Sequence, residues 1–251
     1  MRSIRFSSTT LAVLVAAAGL SQQGMAASAG QWSYEGDTGP SSWETLDPAY
    51  ASCGQGANQS PIDLASPIPA EQPAPVFHYS AGGVDMVNNG HAVQVNYQEG
   101  STLTLDDRDF QLRQFHFHAP SEHTVDGRHF PLEAHFVHRD PVGNLAVVAV
   151  LFEKGESNQA LEPLVETLPD KAGEKVRLDS VFDAADLLPI KTAHYRYNGS
   201  LTTPPCTEGV RWVVMKEHPT LSAEQIHAFE TAIGMDNNRP VQPVNARVIV
   251  D

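Results

Sequence analysis

Basic residues are scarce in this chain. Sixteen Lys and Arg face 30 Asp and Glu over 251 residues, a formal net charge of −14. The first 29 residues hold two of the arginines and none of the acids, so the remainder, 14 basic against 30 acidic, is nearer −16. A surface of that sign repels phosphate backbones and anionic headgroups, which argues against nucleic acid and anionic membranes as partners. No long hydrophobic run is present either. The apolar stretch from Leu11 to Leu20 is about half of what a membrane-spanning helix needs. With Arg2 and Arg5 ahead of it and small residues behind, it reads as a secretory signal peptide cleaved after Ala26 or Ala29, and the expected location is periplasmic or secreted. No internal repeat is visible and nothing marks a second domain, so residues 30–251 read as one domain. Cysteine is nearly absent: Cys53 and Cys206 are the only two. Behind a leader of this kind the compartment is oxidising and a disulfide between them is favoured, with two separate buried thiols as the alternative.

What the chain does have is histidine in two particular places. Successive side chains of a strand point to opposite faces. In Gln114-Phe115-His116-Phe117-His118 the amide and both imidazoles therefore share one face, and the phenylalanines share the other. In Glu133-Ala134-His135-Phe136-Val137 the same alternation groups Glu133, His135 and Val137. Side by side, the two strands would bring three imidazoles to one point. Three neutral imidazoles and an open position make a catalytic-zinc arrangement. Gln114 and Glu133 are placed to accept the N–H that a ligating histidine leaves over. One alternative is open at this level: His116, His118 and Glu122 have a spacing that resembles a cupin motif, which would imply iron or manganese and a carboxylate ligand.

Around these strands the chain reads as mainly β. Residues 31–75 are rich in Gly, Ser, Pro and aromatics and read as irregular structure anchored by Trp32, Tyr34 and Trp43. Strands are expected over 91–97, 101–105, 145–152, 209–215 and 247–250, the 145–152 run being apolar throughout and hence central. Two helices are expected. One covers 157–168; the other covers 222–233, opening on a Ser222–Gln225 capping box and ending before Gly234.

The residues then resemble a known family. Ser121-Glu122-His123-Thr124-Val125, followed by Phe130 and Glu133 to Val137, is similar to the signature of the α-class carbonic anhydrases. So are Gln114 to His118, Gly199-Ser200-Leu201-Thr202-Thr203-Pro204-Pro205, Asn88-Asn89-Gly90-His91 and Gln59-Ser60-Pro61, in family order along nearly the whole chain after the leader. The resemblance implies an α+β fold dominated by one large, mostly antiparallel, twisted central sheet with short peripheral helices. It implies zinc-dependent, reversible hydration of carbon dioxide to bicarbonate by a monomer or homodimer. It implies His116, His118 and His135 as zinc ligands, with Gln114 and Glu133 orienting His116 and His135. It implies His91 as proton shuttle, Thr202 as acceptor of a hydrogen bond from the zinc hydroxide, and Glu122 as the carboxylate that fixes Thr202. Tyr34 and Thr203 would help order water in the cleft. Val137, Val147, Leu201, Val210 and Trp212 would form the apolar wall for carbon dioxide, and Cys53 and Cys206 the disulfide. Ala119 departs from the pattern, since many animal members carry Trp there; it lies off the ligand face, so packing and not chemistry should differ.

The chemistry fits these residue types. Neutral ligands leave the metal its full charge, which brings the pKa of bound water to about 7, a magnitude taken from carbonic anhydrases themselves. A carboxylate ligand would weaken that effect, which favours His135 over Glu122. A histidine near its ordinary pKa accepts and releases protons at neutral pH. The remaining histidines, including His78, His129, His138, His194, His218 and His227, are assigned to surface or packing.

Overall fold

A computed structural model describes residues 30–251; the expected leader lies outside the described residues. Eleven strands form one sheet. In chain order they are β1 (Val76–His78), β2 (Gly83–Asn88), β3 (Val93–Tyr97), β4 (Thr102–Leu105), β5 (Arg108–His118), β6 (Leu132–Arg139), β7 (Leu145–Lys154), β8 (Lys175–Phe182), β9 (His194–Ser200), β10 (Glu208–Met215) and β11 (Thr220–Leu221). The main path runs β8-β2-β3-β5-β6-β7-β10-β9; β4 bridges β1 and β5, and β11 adds to β7. Among the described residues only the β7–β10 and β7–β11 ladders are parallel. The mostly antiparallel sheet expected from the sequence is thus what forms.

Strand β7 lies between β6 and β10 and is buried from Ala146 to Phe152, as a two-faced apolar run requires. Register then sorts the side chains. His116 pairs with His135, His118 with Glu133, and Gln114 with Val137. The phenylalanines of β5, with Ala134, Phe136, Val148 and Val150, enter the larger apolar core behind the sheet. Val147, Ala149, Leu151, Trp212 and Val214 form a second core on the histidine side with Ile62, Leu64 and Phe130. Ala119 is buried in the rear core, off the ligand face as expected.

Helices are short and peripheral: α1 (Trp43–Leu46), α2 (Ser52–Gln55), α3 (Glu162–Val165) and α4 (Ala223–Ile233). Helix α4 has both bonds of the Ser222–Gln225 capping box and ends on Gly234 at φ 79°, the left-handed conformation that favours glycine. The helix expected over 157–168 is only a 3-10 turn, Gln159–Leu161, followed by the four residues of α3. Pro163 cannot donate into a continuous ladder, and Pro169 disfavours helix at Leu168. The strand expected over 247–250 is reduced to bridges from Val250 to Ile68 and Arg196. The sheet also contains β2, β8 and β9, which no clear alternation announces.

Cys53 and Cys206 form a disulfide that spans 153 positions and ties α2 to the loop after β9. Tyr34 and Trp43 pack against it. No helix among the described residues is long and apolar enough to cross a membrane.

Candidate metal centre and active site

Strands β5 and β6 bring His116, His118 and His135 together, and one ring nitrogen from each lies within 4.8 Å of those of the other two. The outward nitrogens are all held by oxygens. His116 Nδ1–H donates to Gln114 Oε1 at 2.9 Å, His118 Nδ1–H to the Asn237 carbonyl at 2.7 Å, and His135 Nε2–H to Glu133 Oε1 at 2.7 Å. Each bond sets the tautomer, so the inward nitrogens are His116 Nε2, His118 Nε2 and His135 Nδ1, each carrying a lone pair. His118 Nε2 is buried with no hydrogen-bond partner. An orphaned buried acceptor among two like atoms is costly unless something occupies the point they face. A divalent cation with a preference for nitrogen ligands fits that point. Iron or manganese held through Glu122 fits less well, because it leaves the four bonds of Glu133 described below without a purpose.

Charge agrees with this. Burial, then the neighbouring imidazoles, holds His116 well below the usual histidine range, and burial also lowers His118. Both rings are therefore neutral near pH 7. For His135 burial acts in the same direction, but the Glu133 carboxylate and then Glu122 outweigh it and raise the pKa.

The support around Glu133 extends past what the sequence pattern indicates. Glu133 Oε2 accepts the backbone N–H groups of Glu122 and His123, at 2.8 and 2.9 Å. Glu133 Oε1 also accepts His123 Nδ1–H at 2.6 Å, and Tyr197 donates to His123 Nε2 at 2.6 Å. Ser60 Oγ lies 2.9 Å from the Tyr197 hydroxyl and accepts the Ser200 N–H at 3.1 Å. This buried chain from Ser60 to His135 locks the carboxylate. Its members are up to 140 positions apart, so His123 gives no signal in sequence beyond its place in the signature. Asn237, whose carbonyl holds His118, is likewise invisible there.

Glu122 is fully buried beside the imidazoles. Its Oε2 lies 3.6 Å from His118 Nε2 and 3.8 Å from His135 Nδ1, and its Oε1 accepts the Arg239 N–H at 2.9 Å. Oε2 has no hydrogen-bond partner. The expected bond between Thr202 and Glu122 is not made: Oε1 accepts from Arg239 and Oε2 faces the rings without a donor. Thr202 itself is buried, 6 % exposed, in the loop that the disulfide fastens.

A pocket of about 140 Å³ opens from the histidines. Tyr34, His91, Gln94, Gln114, His116, His118 and Thr203 are among its walls. Gln94 was not expected; it pairs with His116 across β3 and β5, which sends its side chain to the same face. His91 follows a turn in which Asn88 Oδ1 accepts the Gly90 N–H and Asn89 Oδ1 accepts those of His91 and Ala92. Its ring stacks on Trp32, 3.7 Å between centroids and 10° between planes. Burial lowers its pKa from the ordinary value, so the ring is neutral at pH 7. The Tyr34 hydroxyl is buried and unpartnered, and burial, reinforced by Glu122, raises its pKa well above the ordinary value. Val137, Val147, Leu201, Val210 and Trp212 do not line this pocket; they belong to the histidine-side core, where the Trp212 ring lies 4.9 Å from that of His135.

Residues 38–251 match a family model described as eukaryotic-type carbonic anhydrase. The chain is 47% identical over 221 residues to a carbonic anhydrase of Neisseria gonorrhoeae, covering 88% of this chain and 87% of that protein. It is 44% identical over 225 residues to a carbonic anhydrase of Klebsiella pneumoniae, covering 89% and 92%. Among solved structures it superposes on the alpha-carbonic anhydrase of Thermovibrio ammonificans, in complex with the inhibitor sulfanilamide, with a TM-score of 0.87 at 46% identity, over 88% of this chain and 99% of that one.

Proposed function

The chain belongs to the eukaryotic-type, or alpha, carbonic anhydrases, enzymes of carbon dioxide and bicarbonate, and from that premise we propose that zinc is the metal held by His116, His118 and His135 and that His91 carries the proton away. The observation that supports this most directly is the triad of inward nitrogens whose outward partners are all engaged. When bound, zinc supplies a hydroxide nucleophile at neutral pH by lowering the pKa of a coordinated water to about 7, a value established for carbonic anhydrases themselves.

The chain's own residues do the remainder. Gln114, the Asn237 carbonyl and Glu133 keep three rings aimed at one point, so no reorganisation is needed when the metal is bound. Trp212, whose ring lies 4.9 Å from that of His135, gives the triad an apolar neighbour suited to an uncharged substrate, and Val137, Val147, Leu201 and Val210 pack with it in the core behind the pocket. Thr202, buried in the loop that the disulfide fastens, is the residue proposed to orient the nucleophile, without the Glu122 bond that the resemblance implied. His91 accepts the released proton on a neutral ring and passes it to solvent from the pocket rim. Tyr34, Thr203 and Gln94 line the route between the histidine triad and His91. Residues 30–251 make up the catalytic domain; export, with cleavage after Ala26 or Ala29, is the reading that the leader's composition and the Cys53–Cys206 disulfide support.

The test is the metal content of the purified protein and of His116→Ala. About one equivalent of zinc is expected in the wild type and less than about a tenth in the variant, with hydration activity lost. A variant that kept both would contradict the ligand assignment.

A further inference from the structure

The end of α4 and the segment after it touch the His91 turn, the His118 strand and Glu122. Asn88 Nδ2, at the base of the His91 turn, donates to the Ala232 carbonyl at 2.7 Å. Asn237 O holds His118, Asn238 Nδ2 donates to the Ser121 carbonyl at 3.3 Å, and Arg239 N–H donates to Glu122. Asn237 stands out because its side chain is spent entirely on two other pieces of backbone. The residue is fully buried. Its Nδ2 donates to the His91 carbonyl and to the Phe117 carbonyl, each at 3.0 Å, and its Oδ1 accepts the Ala119 N–H at 2.8 Å. Phe117 and Ala119 flank His118. One amide therefore grips the ligand strand on both sides of a metal-site histidine and, with its other hydrogen, the backbone of His91.

The other bond of the His91 backbone, from its N–H to Asn89 Oδ1, is internal to its own turn and moves with it. The Asn237 amide bond ties His91 itself to the ligand strand. The path from His91 to His118 is two hydrogen bonds and one residue long. Proton transfer between sites depends steeply on their separation and alignment, so a fixed tether of this kind bears on turnover.

We propose that the Asn237 side chain is a positioning residue for proton transfer, setting the place of His91 relative to the histidine triad. This rests on the assignment of His91 as the shuttle. Asn237→Asp separates the functions. It keeps an oxygen for the Ala119 N–H and the backbone carbonyl for His118, but replaces the amide hydrogens by an oxygen facing two carbonyls. In weak buffer kcat should fall at least about tenfold, while kcat/KM for carbon dioxide stays within about threefold and zinc stays at one equivalent. Imidazole at high concentration should restore kcat. In the His91→Ala background the same substitution should cost no further kcat, because the shuttle it positions is gone. Equal losses in kcat and kcat/KM with loss of zinc, an additive double variant, or an unchanged kcat would each overturn the proposal.

A second measurement needs no variant and no metal. In the NMR spectrum of the wild-type protein the Asn237 side-chain hydrogens should exchange slowly and show hydrogen-bond coupling to the His91 and Phe117 carbonyls. Fast exchange without coupling would remove the tether. A zinc-loaded wild type without hydration activity would sink the functional reading and leave this structural measurement standing by itself.

Discussion

Single side chains carry two kinds of information here. His116 and His118 can be read from their alternation on one strand, and register sets His135 of the neighbouring strand opposite His116. Their supports divide differently. Gln114 and Glu133 are two residues from the rings they hold and were legible. His123 and Asn237 act across the fold, Asn237 on a residue 119 positions away, and nothing local marks them. The Thr202–Glu122 bond was expected and is not present; the bond Glu122 does make, from the Arg239 N–H, comes from a segment that the signature alone does not place.

His138 makes the residue scale testable apart from the active site. It lies on the rear face of β6, fully buried, with the Tyr79 hydroxyl at Nε2 and the Ala146 carbonyl 3.2 Å from Nδ1. Burial lowers its pKa from 6.5 to about 4. Above pH 6.5 it is neutral folded and unfolded, and contributes no pH dependence. As pH falls below 6.5 the unfolded chain takes up a proton that the folded chain refuses, so stability is lost at about 1.4 kcal/mol per pH unit, roughly 3 kcal/mol in all by pH 4. The Tyr79→Phe/His138→Leu double variant removes both polar partners together. Its unfolding free energy, followed by denaturant titration between pH 7 and 4, should fall less steeply than the wild type's by about that amount. Parallel curves would contradict the assignment of a neutral buried imidazole.

At the level of elements, legibility followed burial. Strand β7 and the β5–β6 pair lie inside the sheet, where apolar runs and alternation are enforced on one or both faces, and they were read correctly. Strands β8 and β9 lie at its two edges and their patterns are mixed; an edge strand satisfies fewer constraints and shows them less. Helix α4 was legible because its capping box and terminal glycine are local chemistry. The helix expected over 157–168 failed because an apolar spacing outweighed two prolines in the reading and not in the fold. The disulfide belongs to this scale too, since it joins α2 to the loop bearing Thr202 and Thr203. Closing a loop of 153 positions contributes about 5 kcal/mol in the chain-entropy account. Cys53→Ser/Cys206→Ser should therefore melt some 10–20 °C lower in calorimetry. An unchanged melting temperature would show that the pair constrains nothing.

Across the whole molecule, the sheet is a platform and the site is gathered onto it from distant segments. Residues 34, 91, 94, 114, 116, 118, 122, 133, 135, 203, 237 and 239 converge on one face. The fold class was legible because strand signals dominate the chain; the convergence was legible only through the family resemblance, since spacing along a chain does not report which loops meet. The acidic net charge plays no part in this geometry and bears on solubility alone. Metal, reaction and open coordination position are tested together in one assay. Stopped-flow hydration of carbon dioxide should be lost when a chelator strips the metal and should return with about one equivalent of zinc. One equivalent of bound zinc without hydration would contradict the account, and would do so at Thr202, Glu122 and His91 before the three ligands.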